Sequence, residues 1–392
     1  MIHYGDICKI KGDEVPVVNI IVGGSPCQDL SIAGNRAGLD GARSGLYMEQ
    51  IRIIKEMRLN NGKSRTNDVC GPCGPRFMVW ENVQGSFTSN HGADFRCVLE
   101  EAARIADSSA VIPGPPDGWT NSGAVLGDRW SIAWRLHDAQ FWGVPQRRRR
   151  IALVVDFGGH AAPEILFERD GVRRDIEKSE EPRGRVARTD GNGIVAPMSW
   201  KERCGKEGGG KGLLIQTEKT GTLGTLNWQP VCYGLDRATF NQGKNAKYKL
   251  SIDAELSAPI IARGPNAVFD TVVRRLTPLE CERLQGFPDG WTDINEWTDT
   301  KGKKHKCTDT ARYKALGNSI ALPFWQWLAG RMVDVLKADG VSQPTMASLF
   351  DGIGGFPLVF SRCGCVPVWA SEVEEFPIAV TKRHFPESEV ES

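Results

Sequence analysis

Residues 347–356 read Ala-Ser-Leu-Phe-Asp-Gly-Ile-Gly-Gly-Phe, a short apolar run that passes directly into a glycine-rich turn. Such a run predicts a buried β-strand, and the glycines after it allow a ligand to approach the backbone closely. Glu372 lies at the end of the next apolar run, where a carboxylate can accept hydrogen bonds from ribose hydroxyls. The segment predicts a nucleoside-cofactor site; a glycine turn that only packs a strand against a helix is the alternative.

Two other apolar runs end in residues that are able to carry chemistry. Val17 to Val22 leads into Gly-Gly-Ser-Pro-Cys at residues 23–27, and Phe77 to Trp80 leads into Glu81. An open α/β sheet binds its ligands outside the carboxyl ends of its strands, so these residues are expected along one edge. Helical stretches such as Met48 to Arg58 connect the runs, and the predicted fold class is therefore α/β with parallel strands.

Cys27 and Glu81 are the candidate catalytic residues at these strand ends. Cys27 follows a proline in a loop rich in glycine and serine, which can hold a thiol exposed. A carboxyl group held in a cleft, as expected for Glu81, can exchange a proton with a reacting base. A structural cysteine and a surface glutamate are the alternatives for these two positions taken singly.

The segment Gln-Arg-Arg-Arg-Arg at residues 146–150 comes directly before another apolar run. Alternation along a strand places Gln146, Arg148 and Arg150 on one face and the two remaining arginines on the other. Arginine supplies forked donors that suit phosphate, carboxylate and base oxygen atoms. One set of arginines is therefore expected to point into a cleft and the other toward phosphates or solvent.

The composition of the chain indicates its class of protein and the partners to expect. The chain has 392 residues, of which 40% are hydrophobic and 25% charged, as in an ordinary globular protein. No long apolar run or secretion signal is recognisable, so we expect no membrane partner and a cytoplasmic location. The net charge of +1 does not indicate a nucleic-acid partner by itself. A second basic cluster, formed by Lys301, Lys303, Lys304 and Lys306, is consistent with phosphate contacts or with a solvated surface.

The eleven cysteines are expected to be reduced, because the chain shows no sign of secretion. Cys70 and Cys73 form the only C-x-x-C pair, and a zinc site needs about four ligands. We therefore expect no metal.

The middle of the chain differs in composition from its two ends. Residues 158–272 are rich in glycine and charged residues and indicate loops or short β-ribbons, as a small second module or a long insertion. Ile112 to Gly127, rich in proline and glycine, is predicted to be a surface loop. Thr277-Pro278-Leu279-Glu280 has the pattern of a capping box with proline at the first helical position, and predicts a helix start.

Taken together, the segments resemble the motifs of the DNA (cytosine-5) methyltransferase family. The motifs are GGSPCQDLS at residues 23–31, ENV at 81–83, QRRRRI at 146–151, GNS at 317–319 and FDGIGGF at 350–356. The resemblance implies a Rossmann-like sheet of the S-adenosylmethionine-dependent methyltransferases with a smaller target recognition domain. The domains it implies are a catalytic part at residues 1–157, target recognition at 158–273, a return to the catalytic domain at 274–345 and a cofactor-binding part at 346–392.

The motif order departs from the order that is usual in the family. There the glycine motif opens the chain and a GDI segment follows it, whereas here Gly5-Asp6-Ile7 comes first and the glycine motif begins near Phe350. Joining the segment that ends at Glu387 to His3 would restore the usual run. The resemblance therefore implies a circularly permuted order.

The resemblance also implies a role for each matching residue. Cys27 would attack C6 of a flipped-out cytosine, Glu81 would act at N3, Arg150 would contact the base oxygen O2, and Arg148 would support the nucleophile loop. The implied partner is double-stranded DNA, bound by a monomer, with Gln28 and Ser31 in the moving loop and Arg43 at a phosphate. The residues expected around S-adenosylmethionine are Asp6, Ile7, Pro26, Leu46, Asn318, Ser319, Phe350, Asp351, Gly352, Ile353, Gly354, Gly355, Phe356, Glu372 and Val373.

Three alternatives compete with this interpretation. An RNA cytosine-5 methyltransferase of similar fold typically carries a Cys-Phe-Thr element, which is not found here. A catalytically silent DNA-binding relative would be expected to have lost Cys27, Glu81 or Arg150, and all three are present. A Rossmann oxidoreductase explains the glycine turn but not the PCQ and ENV segments.

Overall fold

The computed structural model describes residues 1–25, 45–60, 74–167, 198–204, 211–217, 233–235, 252–254, 267–269 and 273–387. Its strands are β1 (Ile2–Tyr4), β2 (Ile20–Gly23), β3 (Phe77–Asn82), β4 (Ser122–Leu126), β5 (Ser131–Asp138), β6 (Arg149–Asp156), β7 (Met198–Cys204), β8 (Lys211–Thr217), β9 (Tyr233–Leu235), β10 (Ile252–Ala254), β11 (Ala267–Phe269), β12 (Val273–Arg275), β13 (Glu296–Thr298), β14 (Lys304–Lys306), β15 (Thr345–Leu349) and β16 (Val366–Ser371). Its α-helices are α1 (Gly45–Asn60), α2 (Ala93–Ala103), α3 (Ala161–Leu166), α4 (Pro278–Gln285), α5 (Asp309–Asn318), α6 (Leu322–Ala338), α7 (Gly355–Arg362) and α8 (Glu375–His384).

The central sheet has the strand order β1-β16-β15-β2-β3-β6-β5-β4. The first five strands of this order are parallel, whereas β6, β5 and β4 each run antiparallel to the strand before them. Counted from β15 along the chain and on through β16, β1, β2 and β3, the parallel strands lie in the order 3-2-1-4-5. This is the doubly wound order, so the predicted Rossmann-like α/β fold is confirmed.

The permuted motif order is visible in the same topology. β1 pairs with β16, so the first strand of the chain lies beside one of the last. The ammonium group of Met1 donates a hydrogen bond to the carbonyl oxygen of Pro386 at 2.9 Å. The segment after α8 and the segment before β1 therefore meet, as the joining of Glu387 to His3 requires.

Both faces of the sheet are covered by helices. Ile20 and Val22 of β2 face one apolar cluster, which includes buried residues of α3, α6 and α7. Ile21 faces a second cluster, which includes buried residues of α1 and α2. The alternation follows from the two-residue period of a strand, and burial of both faces explains why the parallel strands are continuously apolar.

Two local predictions can be compared directly with the structure. The helix start at Thr277 is confirmed: the Thr277 hydroxyl accepts from the Glu280 N–H and the Glu280 carboxylate accepts from the Thr277 N–H. The prediction of a surface loop at residues 112–127 was wrong for Ser122–Leu126, which form the edge strand β4. Glycine at 123 and 127 lets the indoles of Trp134 and Trp130 lie against the backbone there, because a Cβ at either position would overlap those rings.

The region between β6 and α4 contains two small sheets among its described residues. β7 pairs with β8, and β9 to β12 form a four-stranded antiparallel sheet. α3, which precedes them, packs with the central sheet in the first apolar cluster. In the part of the chain that is described, none of the helices is long and apolar enough to cross a membrane.

Candidate active site

The candidate site lies at the carboxyl edge of the five parallel strands. The strand ends there carry Asp6 after β1, Glu372 after β16, Phe350 after β15, Gly24 after β2 and Glu81 within the end of β3. The strand order changes direction between β15 and β2, and an open α/β sheet binds its ligands at such a point. The sequence prediction that these residues meet at one edge is therefore confirmed for the described strand ends.

The glycine turn after β15 has a backbone that few residues other than glycine adopt. Gly352 and Gly354 have φ of 60° and 77°, and Phe350 adopts φ of 55° although it is not glycine. Such a conformation in a phenylalanine costs energy and often marks a functional site. A Cβ on Gly352 would meet no atom within 4 Å, so the turn leaves open space for a ligand at that position.

Glu372 fastens this turn to the end of β16. Its Oε2 accepts a hydrogen bond from the Gly352 N–H at 2.8 Å, and its Oε1 accepts from the N–H groups of Val373 and Glu374 at 2.7 and 2.9 Å. The Ser371 hydroxyl donates to the carbonyl of Gly5 at 2.8 Å, which joins the end of β16 to the residue before Asp6. The Glu372 carboxylate and the Ser371 hydroxyl together thus join three backbone segments of the predicted cofactor site.

Glu81 and Arg150 form an ion pair at the end of β3. The Arg150 Nε lies 2.9 Å from the Glu81 Oε1, and the two side chains are 19% and 14% exposed. Their strands are adjacent and antiparallel, so the pair is fixed by the register of β3 and β6. The partly exposed carboxylate is therefore oriented by a guanidinium and still open to a ligand.

The backbone that leads to Cys27 passes beside this pair. The Trp80 indole N–H donates to the Ser25 hydroxyl at 3.0 Å, and the Asn82 amide donates to the Ser25 carbonyl at 3.4 Å. A Cβ on Gly24 would lie 3.2 Å from the Glu81 Oε2, so glycine there permits the close passage. Ser25 is two residues before Cys27, and it is tied to the strand that carries Glu81.

Arg148 contacts the GNS segment. Its guanidinium donates to the carbonyl of Gly317 at 3.3 Å and to the carbonyl of Ser319. Ile320, the next residue, lies close to Gly355 of the glycine turn. Arg148 therefore connects the arginine segment to residues 317–319, and the next residue, Ile320, borders the cofactor turn.

The predicted cofactor residues differ in how far their side chains are exposed. Ile7, Ile353 and Phe356 are buried in the apolar clusters, so only their backbones are available to a ligand. Asp6, Glu372, Val373, Phe350 and Asn318 keep exposed or partly exposed side chains. Leu46 is half-buried against the second cluster, Ser319 is largely buried, and Pro26, Cys27, Gln28, Ser31 and Arg43 lie outside the described residues.

Sequence reasoning missed Asp138, which organises the arginine segment. Its Oδ1 accepts from the Arg148 N–H at 2.9 Å, and its Oδ2 lies 3.5 Å from the Arg149 Nε. Asp138 ends β5, so the strand-end rule that selected Glu81 and Glu372 would also have selected it. His137, next to Asp138, is buried, and its ring stacks on Phe324 with centroids 3.7 Å apart.

Asp351 is a buried carboxyl group in the glycine turn. It is 5% exposed, and the hydroxyl groups of Ser348 and Thr381 lie near its carboxylate. Burial, with a smaller contribution from the nearby charge of Glu372, raises the pKa of Asp351 from 3.8 to about 7. The folded chain therefore holds this proton more tightly than the unfolded chain does.

We expect Asp351→Asn to remove a pH dependence of stability in the cofactor-free protein. Because its pKa is higher in the folded state, Asp351 makes the wild type lose stability as the pH rises from about 4 to about 7, by up to about 4 kcal/mol. Urea unfolding at pH 5 and pH 8 should show the variant losing less stability than the wild type between these values. Asp289→Asn, at an exposed ion pair with Arg283, is the control. Equal pH profiles for wild type and Asp351→Asn would contradict the prediction.

A comparison with protein families gives one match that covers most of the chain. The family model is described as C-5 cytosine-specific DNA methylase, and it matches residues 1–105 and 118–334. The matched residues include the strand ends at Gly24 and Glu81, the arginine segment and the GNS segment. The glycine turn lies after the matched residues, as a permuted order requires.

Individual relatives are similar at lower identity. The chain is 27% identical over 413 residues to the DNA N-6-adenine-methyltransferase of Escherichia phage P1, over 83% of this chain and 53% of that protein. It is 25% identical over 342 residues to the type II methyltransferase M1.ScrFI of Lactococcus lactis subsp. cremoris, over 85% of this chain and 67% of that protein. For the type II methyltransferase M.BsuFI of Bacillus subtilis the identity is 23% over 334 residues, with shares of 85% and 62%. The chain thus spans between half and two thirds of these relatives' lengths.

Among solved structures, the S. pombe Dnmt2 methyltransferase is similar at 14% identity and a TM-score of 0.43, covering 86% of this chain and 84% of that one. A putative DNA modification methyltransferase from an E. coli prophage has 16% identity and a TM-score of 0.42, covering 85% of each chain. The fold assignment rests on the strand order described above. On the family match across residues 1–105 and 118–334, the chain belongs to the C-5 cytosine-specific DNA methylase family.

Proposed function

We propose that the chain is a DNA (cytosine-5) methyltransferase that methylates C5 of a flipped-out cytosine through a covalent bond between Cys27 and C6. The observation that supports this best is the meeting of Glu81, Arg150 and the strand end leading to Cys27 at one sheet edge, beside the glycine turn. The partner is double-stranded DNA in the cytoplasm, bound by a monomer in one short sequence context. Residues 158–273 would supply the target recognition domain.

S-adenosylmethionine is the methyl donor that family membership implies. The open space at Gly352, the carboxylate of Glu372 and the neighbouring Asp6 fit a nucleoside with hydroxyl groups. Phe350 and the backbone of the glycine turn would complete the contacts. When bound, this donor supplies the methyl group that C5 of the base receives.

Cys27 would activate the base, because C5 of cytosine is a weak nucleophile. The Cys27 thiol first passes its proton to the Glu81 carboxylate. The thiolate then forms a bond to C6, and the ring electrons move toward N3, which takes that proton from Glu81 and leaves an enamine between C4 and C5. When C5 has received the methyl group, N3 returns its proton to Glu81. Water then removes the C5 proton, the C–H electrons restore the C5–C6 double bond, and sulfur leaves with its electron pair.

Arg150 would serve this chemistry in two ways. Its Nε holds the Glu81 carboxylate at 2.9 Å, which fixes the orientation of that group toward the base. As a permanent cation it also provides donors for the base oxygen O2. Neither N3 nor C6 is accessible within a DNA duplex, so the cytosine must leave the helix to reach these groups. Ser25, two residues before Cys27 in the sequence, is hydrogen-bonded to Trp80 and Asn82, the residues on either side of Glu81.

The direct test is to map modified bases in DNA from cells that express the chain. Bisulfite sequencing should show 5-methylcytosine in one short sequence context and none in cells that express Cys27→Ser. DNA without 5-methylcytosine, from cells whose purified protein is folded and binds S-adenosylmethionine, would overturn the proposal.

Nucleoside mass spectrometry of the same cells separates the competing functions. The phage P1 relative is named for N6-adenine methylation, so N6-methyladenine in place of 5-methylcytosine would show an adenine enzyme. Additional 5-methylcytosine in RNA alone would show an RNA enzyme. DNA binding without any new methylated base would show a silent relative. We expect 5-methylcytosine in DNA as the only new base.

A further inference from the structure

We infer that Trp291 is a positioning residue for the cofactor turn, and that its indole N–H strengthens the binding of S-adenosylmethionine. The inference deepens the proposed function and rests on it. Trp291 lies after α4 in the described segment and is 6% exposed. Its Nε1 donates a hydrogen bond to the carbonyl oxygen of Ile353 at 2.8 Å.

The Ile353 carbonyl lies in the part of the turn that contains glycines. It stands between Gly352 and Gly354, which both have positive φ. The Ile353 carbonyl belongs to the peptide unit that joins Ile353 to Gly354, and glycine on one side of this unit permits backbone conformations that other residues rarely adopt. A hydrogen bond from outside the turn therefore selects one orientation of this peptide unit.

A second side chain holds the preceding carbonyl in the same way. The hydroxyl of Thr381, on α8, donates to the carbonyl of Gly352 at 3.1 Å. Two consecutive carbonyl groups of the turn are thus each fixed by a donor from another segment. Glu372 holds the N–H of Gly352 at 2.8 Å, so the backbone around the open space at Gly352 is set from three directions.

Trp291 is itself held rigidly enough to act as such a support. Its ring stacks on the imidazole of His384 with centroids 3.6 Å apart and planes 4° apart. The His384 Nε2 also lies 2.8 Å from the Trp291 carbonyl oxygen, so side chain and backbone are both engaged. Since His384 ends α8, the helix that carries Thr381 also supports Trp291.

The test is Trp291→Phe, which removes the N–H donor and keeps an aromatic ring against His384. One neutral hydrogen bond contributes about 0.5–1.5 kcal/mol, so we expect the Kd for S-adenosylmethionine to rise about 2- to 12-fold in calorimetry. The KM for S-adenosylmethionine should rise by a similar factor. The kcat at saturating donor and the KM for DNA should change less than about twofold, because no reacting atom is touched.

Trp297→Phe is a closely matched control. Trp297 also stacks on a histidine, His305, with centroids 4.5 Å apart, and its Nε1 has no hydrogen-bond partner among the described residues. Its replacement should leave the Kd for S-adenosylmethionine unchanged. Thr381→Val, which removes the second donor, should weaken binding as Trp291→Phe does, and it provides an independent test if Trp291→Phe does not fold.

The outcomes separate the inference from the proposed function. If the wild type binds S-adenosylmethionine and methylates DNA while Trp291→Phe and Thr381→Val bind with unchanged Kd, the inference is wrong and the proposed function stands. If Trp297→Phe weakens binding as much as Trp291→Phe, the effect is a general loss of packing, and the inference is again wrong. If the wild type does not bind S-adenosylmethionine, both fail.

Discussion

Replacing Cys27 with serine is expected to abolish methyl transfer to DNA. A thiolate is a strong nucleophile near neutral pH, whereas a serine hydroxyl needs a strong base to attack, and the described residues of the site offer carboxylates as bases. Incorporation of radiolabelled methyl groups into DNA should fall to background. Binding of S-adenosylmethionine should persist, because the described residues around the glycine turn belong to other strands.

The covalent step can be observed directly with DNA that contains 5-fluorocytosine. Fluorine at C5 cannot leave as a proton, so elimination is blocked and the Cys27–C6 bond persists as an adduct that survives denaturation. We expect this adduct with the wild type and with Cys97→Ser, a change in the partly buried cysteine of α2, but not with Cys27→Ser. Methylation by Cys27→Ser at a measurable rate would exclude Cys27 as the nucleophile.

The second large effect is expected from Glu81→Gln, which preserves the size of the side chain and removes its negative charge. Proton transfer by a positioned acid or base contributes about 100- to 10,000-fold to a rate, so kcat should fall within that range. The ion pair between the Arg150 Nε and the Glu81 Oε1, 2.9 Å apart, would also be lost, so the side chain at position 81 would be less well oriented. Single-turnover methyl transfer and the rate of adduct formation with 5-fluorocytosine DNA should fall together, because Glu81 acts in the step that forms the C6 bond.

A matched variant tests whether loss of an ion pair is itself harmful. Glu101 lies on α2, 2.7 Å from Arg104, and belongs to none of the strand ends that form the site. Glu101→Gln should leave kcat within about twofold of the wild type, since partly exposed pairs contribute little to stability. A Glu81→Gln enzyme with the kcat of Glu101→Gln would show that Glu81 does not act in catalysis.

Much of the sheet could be predicted because local sequence determines it. Continuous apolar runs mark β2, β3, β15 and β16; the first three are buried along most of their length, and β16 is buried over its last three residues. The capping box at Thr277 was equally local, since its two hydrogen bonds span three residues. The edge strand β4 was missed because Gly123 within it and Gly127 after it are typical of a turn. In the structure, these glycines make room for tryptophan rings.

The contacts within the site were less accessible to sequence reasoning because they join distant residues. Arg148 donates to carbonyl groups of the GNS segment, about 170 positions away along the chain. Trp291 reaches Ile353 across 62 positions and carries no motif of its own. Such contacts depend on how the strands are ordered, and a single sequence does not encode that order as a local pattern.

The position of β15 in the sheet also has a consequence for how the chain folds during synthesis. β15 lies between β16 and β2, so the centre of the sheet is formed by residues that leave the ribosome after most of the others. Until then β2 lacks one neighbour, and β1 lacks the strand with which it pairs among the described residues. Contacts of such long sequence separation slow folding, and unpaired strand edges invite aggregation. The nascent chain should therefore depend on chaperones until residues 345–371 have emerged.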